Sequence, residues 1–384
     1  MRAYLKLTSI VAVCVLAGCS SLSSLNPFAS KPDAKTAPAA LIEFKQTKLM
    51  RQKWSIAVGN AGNYLFSPGV DGSDIYAASN DGTVAKINAN GQIVWKINAG
   101  MRLTAGVGVA SNTVVVAGEK GALLAFAEDG RLRWKVQDST EILSAPVVGQ
   151  GLVIVRSIDN KITAYDAESG ARKWSVERPL PSLTLRTMPG LAIVGQQVVV
   201  ALPGGRMVAL ALSNGGIKWE AVVGEPKGST ELERVADVSG SPAIVGRDVC
   251  AAAYQGRVGC YDVVTGSSRW FKALSSEVGV SADERFVFAV DASGILNAYL
   301  RDGGASAWRN DKLSYRKLSS PTSFDRAVAV GDLAGYVHLL SREDGSFIGR
   351  VSTDGSQILA APIVVGSSLI VQTKSGSVVA FATE

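Results

Sequence analysis

Hydrophobic positions in this chain fall in short runs, not at helical spacing. Runs such as Thr113-Val114-Val115-Val116, Leu152-Val153-Ile154-Val155 and Val198-Val199-Val200 are rich in β-branched residues, with turn residues on either side. With turn signals about every ten residues, that pattern predicts antiparallel strands. A longer period is set by tryptophan. Trp54, Trp95, Trp134, Trp174, Trp219, Trp270 and Trp308 lie 41, 39, 40, 45, 51 and 38 residues apart. One further step reaches Gly349, where the ring is missing but its surroundings are kept. Four residues before each of these positions except Trp54 stands a glycine in a turn: Gly91, Gly130, Gly170, Gly215, Gly266, Gly304 and Gly345. A second series runs Gly82, Gly121, Asn160, Gly205, Gly256, Gly294, Gly335 and Gly376. Glycine and asparagine tolerate the left-handed backbone that tight hairpins need.

Four strands in each repeat of about 40 residues predict a blade of a β-propeller. The ends of the chain complement each other. Residues 360–384 hold only three strands, and Lys53-Trp54-Ser55-Ile56-Ala57-Val58 is a lone fourth. Joined, they make an eighth blade and hide two strand edges. The expected fold is therefore all-β, an eight-bladed β-propeller of four-stranded antiparallel blades over residues 41–384. The N-terminal strand closes the ring against the C-terminal strands. The tryptophans, being identically placed, are expected to pack blade on blade and not to stack on a ligand.

Residues 1–18 read as a secretory signal, with Arg2 and Lys6 ahead of an apolar stretch from Leu7 to Leu16 too short to span a bilayer. Leu16-Ala17-Gly18-Cys19 resembles the bacterial lipobox, which implies lipidation at Cys19 and a membrane anchor. Ser20 stands where an aspartate would signal inner-membrane retention, so outer-membrane sorting is expected. Residues 19–40, rich in Ser, Ala, Pro and Lys, read as a tether.

Composition narrows the chemistry. An apolar share of 47% with 19% charged residues excludes wholesale disorder and coiled coil. The one histidine, His338, sits in a strand-like run and leaves no multi-histidine metal site or histidine-rich catalytic centre. No Cys-x-x-Cys pair occurs among the four cysteines, so the usual zinc spacings are absent. The Asp-Gly pairs are turn chemistry and lack a calcium-loop pattern. No metal and no cofactor is expected. The net charge of +6 is spread without a basic run longer than two, so nucleic acid is not an expected partner.

Function is sought where the repeat is irregular. Pro68, Pro146, Pro242, Pro321 and Pro362 each precede a turn residue by 14 positions, so length varies only in the connection before the proline. The connection from Trp219 to Pro242 is 23 residues and that from Trp174 to Pro189 is 15, against 12 to 14 elsewhere in this series. Both join an outer strand to the next inner strand in consecutive blades, so they are expected side by side on one face. The first carries Pro179-Leu180-Pro181-Ser182-Leu183-Thr184-Leu185-Arg186, apolar side chains unusual for pure solvent surface. The second runs from Gly228 to Val238, supplies carboxylates, and has the start signal of a helical turn at Ser229-Thr230-Glu231-Leu232-Glu233.

The repeat resembles the tryptophan-docking repeat of the quinoprotein propellers. That likeness raises one alternative, a periplasmic quinone-dependent dehydrogenase. Its alcohol-oxidising members typically carry a vicinal disulfide, and this chain has no adjacent cysteines. Lipobox, tether, blades and the two loops in order resemble the BamB family, lipoprotein propellers of the outer-membrane β-barrel assembly machinery. The resemblance implies no catalytic residues. It implies a scaffold on the periplasmic face of the outer membrane that binds BamA POTRA domains, works with other members of the complex, and assists insertion of outer-membrane proteins. Carried over residue by residue, it implies partner contacts at Leu183, Leu185, Arg186 and Asp237. The leucines would fill an apolar groove and Arg186 would make charge-assisted hydrogen bonds. The enterobacterial pattern has a second aspartate two residues after Asp237, where this chain has Ser239. Exposed outer-strand edges offer unfolded outer-membrane protein strands a place to pair.

Cys14 leaves with the signal, which isolates Cys250 and Cys260. A hairpin centred on Gln255 sets them opposite each other, within reach of a disulfide in an oxidising compartment. If the register differs by one residue, they remain two buried thiols.

Overall fold

The computed structural model describes residues 36–185 and 188–383. Thirty-two strands form eight four-stranded antiparallel sheets, as the repeat predicts. Blades 1 to 7 take residues 69–98, 108–137, 147–177, 191–222, 238–273, 280–310 and 322–352. Blade 8 takes Ile363–Val365, Ser368–Gln372 and Ser377–Thr383, with Met50–Ala57 paired antiparallel to the last of these. The second and third strands of each blade are almost wholly buried, and apolar clusters fill the space between neighbouring blades. The only helical elements among the described residues are two short 3₁₀ turns, at Glu119–Gly121 and Pro203–Gly205.

Each tryptophan sits on a fourth strand and reaches into the following blade. All seven indoles donate to a carbonyl in that blade's last turn, from Trp54 to Ala89 at 3.1 Å through to Trp308 to Arg342 at 2.8 Å. The glycine of the same turn lies under the ring. At Gly345, φ is +71° and a Cβ would come within 2.4 Å of Trp308. Ring stacking on backbone thus needs glycine twice over, for space and for conformation.

The missing eighth tryptophan now has a physical reason. A ring at position 349 would dock on the turn between the third and fourth strands of blade 8. Those strands are the two ends of the propeller, and no turn joins them. The incoming chain takes the place instead. Thr47 and Lys48 donate backbone N–H groups to the Ile348 carbonyl at 3.0 and 2.9 Å, and a Cβ on Gly349 would lie 2.6 Å from the Lys48 carbonyl oxygen.

That incoming segment, residues 38–49, forms a strap over blade 7. Ala39 donates to the Ser314 carbonyl at 2.9 Å, and Phe44 stacks on Phe347 with centroids 5.3 Å apart. Lys48 pairs with Asp325. The packed unit therefore begins at Pro38, slightly ahead of the boundary expected from composition at residue 41. The signal segment and Cys19 lie outside the described residues.

Apart from blade 7, whose fourth strand carries the strap, the fourth strands pair with no further strand on their outer edges among the described residues. Lys96, Arg133, Lys135, Lys173, Lys218 and Lys272 stand exposed along them beside the tryptophans, a charge pattern that blunts edge-to-edge aggregation.

In blade 5 the second and third strands set Cys250 directly opposite Cys260, Cα to Cα 4.1 Å, and the two are joined as a disulfide. Both sulfurs are fully buried. Intact mass of the unlipidated chain 20–384 should rise by two protons on denaturing reduction. Closing so short a loop is worth about 2–3 kcal/mol, so the reduced protein should unfold at lower denaturant.

Candidate functional site

The two long connections leave one face of the ring on either side of blade 4, and both are tied to the Pro203–Gly205 turn between them. Loop one, residues 178–190, is pinned at its start. Asn160 donates to the Pro179 carbonyl at 2.9 Å, and Arg178 pairs with Glu220. Pro181 lies over Gly204, where an added Cβ would sit 3.1 Å from its ring. Loop two, residues 223–237, enters beside the same turn, with Val223 and Gly224 both donating to the Gly205 carbonyl at 2.8 and 3.0 Å.

Asp237 fastens the arrangement. One carboxylate oxygen accepts from the Leu185 backbone N–H at 2.6 Å and the other from Gly204 at 3.0 Å. The side chain is buried, only 1% exposed. Burial pushes its carboxyl above the ordinary value, against the pull of those two donors and of Arg156. Arg156 is itself buried; burial draws its guanidinium down to about 10, and it donates to Asn160 under loop one at 3.3 Å. The residue that follows the sequence pattern as a partner contact is thus an internal tie between the loops. Ser239, two residues on, is also buried and donates to the Ser276 carbonyl at 2.8 Å.

Three leucines face solvent, beside the exposed charges of Glu231, Glu233 and Arg234. Leu183 is 47% exposed, Leu180 49% and Leu232 69%. Leu185 is only half-buried by its surroundings, while Arg186 lies outside the described residues. Leu232 rides on a single turn built by the start signal seen in the sequence. Thr230 Oγ1 accepts from Glu233 N–H at 3.2 Å, and the Glu233 carboxylate accepts from Ser229 and Thr230 N–H at 2.8 and 3.1 Å. This reciprocal capping box holds the turn without a full helix. Arg234 adds a bond from Nε to the Gly228 carbonyl at 3.0 Å. Leu180 and Leu232 were not singled out by the sequence. The signal was present in both, a leucine on a short loop fixed by proline or by a cap.

The two loops lie side by side and show leucines outward, and ion pairs stand at their bases, Arg178 with Glu220 and Arg257 with Glu225. Among the described residues no group of three or more His, Cys, Asp or Glu is placed to hold a metal ion. His338 is fully buried in blade 7 against Asp332, far in the ring order from these loops.

A family model described as "Outer membrane protein assembly factor BamB" matches residues 80–310. The BamB of Burkholderia pseudomallei is 42% identical over 372 residues, covering 96% of this chain and 95% of that one. This chain belongs to the BamB family. The BamB of Bordetella pertussis is 39% identical, with 95% of each chain covered. Among solved structures, BamB from Moraxella catarrhalis superposes with a TM-score of 0.80 at 28% identity, over 87% of this chain and 99% of that one. A quinohemoprotein alcohol dehydrogenase from Comamonas testosteroni superposes with a TM-score of 0.69 at 15% identity, over 87% of this chain and 76% of that one, a likeness of fold alone. The BamB family is one of outer-membrane protein assembly factors, and among the described residues no helix is long and apolar enough to cross a membrane.

Proposed function

We propose that this chain is a non-enzymatic scaffold of the outer-membrane β-barrel assembly complex. It is anchored by lipid on Cys19 at the periplasmic face and docks POTRA domains of BamA through loops one and two, assisting the insertion of outer-membrane proteins. The observation that carries this reading is the tie at Asp237, which locks two leucine-bearing loops into one surface. Leu183 and Leu232 are its apolar anchors, and Arg186, which follows Leu185 in the chain, is the cation offered to a partner carboxylate. Leu185 serves through its backbone as much as through its side chain.

The test is a titration of the unlipidated chain 20–384 against purified BamA POTRA domains. Leu183→Ala with Leu232→Ala should weaken binding by about 2–3 kcal/mol, as truncation of buried interface anchors does. Both side chains are exposed, so the thermal midpoint should hardly move. Full affinity in the double variant would move the site elsewhere. No binding by the parent chain would favour the dehydrogenase alternative, tested next with added quinone and calcium.

A further inference from the structure

The strap over blade 7 rests on a buried cluster of charges that the docking surface does not use. Arg316 Nη1 donates to the Ala39 carbonyl at 2.9 Å, and Arg350 Nη1 donates to the Ile42 carbonyl at 3.0 Å. The Arg350 guanidinium also lies 4.9 Å from the Phe44 ring and 5.5 Å from Phe347. Both arginines lead inward to one carboxylate. Arg316 reaches Asp332 through Nε at 2.8 Å and Nη2 at 2.7 Å. His338 Nε2 lies 2.9 Å from the same carboxylate oxygen, and Arg350 Nε donates to His338 Nδ1 at 3.1 Å. Asp332 and His338 are fully buried.

These contacts fix the proton on the histidine. Nδ1 accepts from Arg350, so Nε2 carries the hydrogen and donates it to Asp332. The ring is neutral, between two cations and one anion. The groups facing it are Asp332 before the third strand of blade 7, Tyr336 on that strand, Phe347 and Arg350 on the fourth, and Arg316 from the preceding loop. The strap's own Glu43 and Lys45 are exposed.

We propose that the strap is a proton-operated latch, with His338 as its sensor and Arg350 as the arm that transmits the change. A proton from solvent binds Nδ1. The ring can then no longer accept from Arg350 Nε, and a third positive charge stands beside the two arginines with one carboxylate to offset them. Arg350 withdraws, the Ile42 carbonyl loses its donor, and the Phe44 ring is left with its stack on Phe347 alone. Burial, which holds the histidine below its ordinary value, sets the change on the acid side of neutrality, and Arg350 and Arg316 push the same way against Asp332. A released strap adds up to about 40 Å of reach to the chain that precedes it, at about 3.3 Å per residue.

The experiment is hydrogen exchange read by mass spectrometry on the chain 20–384, with each rate divided by its intrinsic rate at that pH. Protection of the 38–49 segment should fall at least tenfold between pH 7.5 and 5, while the buried strands of blade 7 hold theirs. His338→Gln, which takes no proton, should keep the strap protected at pH 5. Arg350→Ala should release it at both pH values with the ring folded. The proposal is overturned by a strap equally protected at both pH values in the parent. It is equally overturned by a parallel fall in His338→Gln, or by full protection in Arg350→Ala.

Discussion

Asp332→Ala is expected to lower the free energy of unfolding by about 3–5 kcal/mol, the cost of stripping the partner from a buried charge. The carboxylate accepts from Arg316 and His338 and from the backbone of Ala334 and Tyr336 at 2.9 Å, so its removal strands five donor atoms at once. Burial opposes its ionisation, but the bonds from His338, Tyr336 and Arg316 outweigh that and hold it below the ordinary carboxylate range. The pH dependence follows in sign. His338 and Asp332 both bind protons less readily folded than unfolded, so each favours the fold at high pH and loses its effect on acidification. The histidine contribution is full above about pH 6.5 and fades below it; the aspartate contribution is full above about pH 4 and fades below that. Urea midpoints between pH 8 and 3 should fall in two stages in the parent, and the lower stage should shrink in Asp332→Ala. A loss under about 1 kcal/mol at pH 7.5 would show that Arg316 finds another counter-charge.

Asp237→Ala should weaken docking strongly although the side chain is buried. Without it the Leu185 and Gly204 N–H groups lose their acceptor and Arg156 loses the anion that acts on it most strongly, so loop one is held only at its start, by Asn160 and Glu220. Affinity for the POTRA domains should fall on the order of 100-fold, about 2.7 kcal/mol, with a stability loss of about 2–4 kcal/mol from the unsatisfied groups. Asp237→Asn is the sharper variant. Its amide nitrogen cannot accept, so it keeps one of the two donors at most and should not restore binding. The leucine variants lose affinity alone, whereas Asp237 variants lose affinity and stability together. An Asp237→Ala protein that binds like its parent would show that the loops hold their places without this tie.

The ring was legible because each blade repeats its chemistry. A tryptophan needs a glycine turn in the next blade, and the spacing of the two series is therefore a statement about packing. Even the exception at Gly349 is legible afterwards, as the place where no turn exists to receive a ring. The site was legible only in outline. Loop length and the leucines of residues 180–185 led to two loops that do lie side by side, but the inward turn of Asp237 depends on where the Pro203–Gly205 turn presents its amide, which no spacing encodes. His338 shows the same limit. In sequence it is a lone polar residue in a strand; its meaning comes from Arg316 and Arg350, brought to it by separate elements, and from a strap of which only residues 38–40 fall in the expected tether.

The strap also decides how the molecule bears a pull. Met50–Ala57 is held to Ser377–Thr383 by hydrogen bonds across a seam that no peptide bond crosses. Tension on an N-terminal leash, acting on that strand directly, would peel the ring open one bond at a time. Such a load would instead meet Ala39 first, held by the connection ahead of blade 7, and then Ile42, Phe44 and Lys48, seated on blade 7, whose four strands are continuous in the chain. For a chain anchored in that way the contact would work as a strain relief, with the seam slack until the strap lets go. The anchorage lies at the boundary of blades 7 and 8, and loop one at that of blades 3 and 4, half a turn around the ring. A leash and a docked partner would thus haul on opposite rims, stretching the disc across its diameter and not prising the partner from its face.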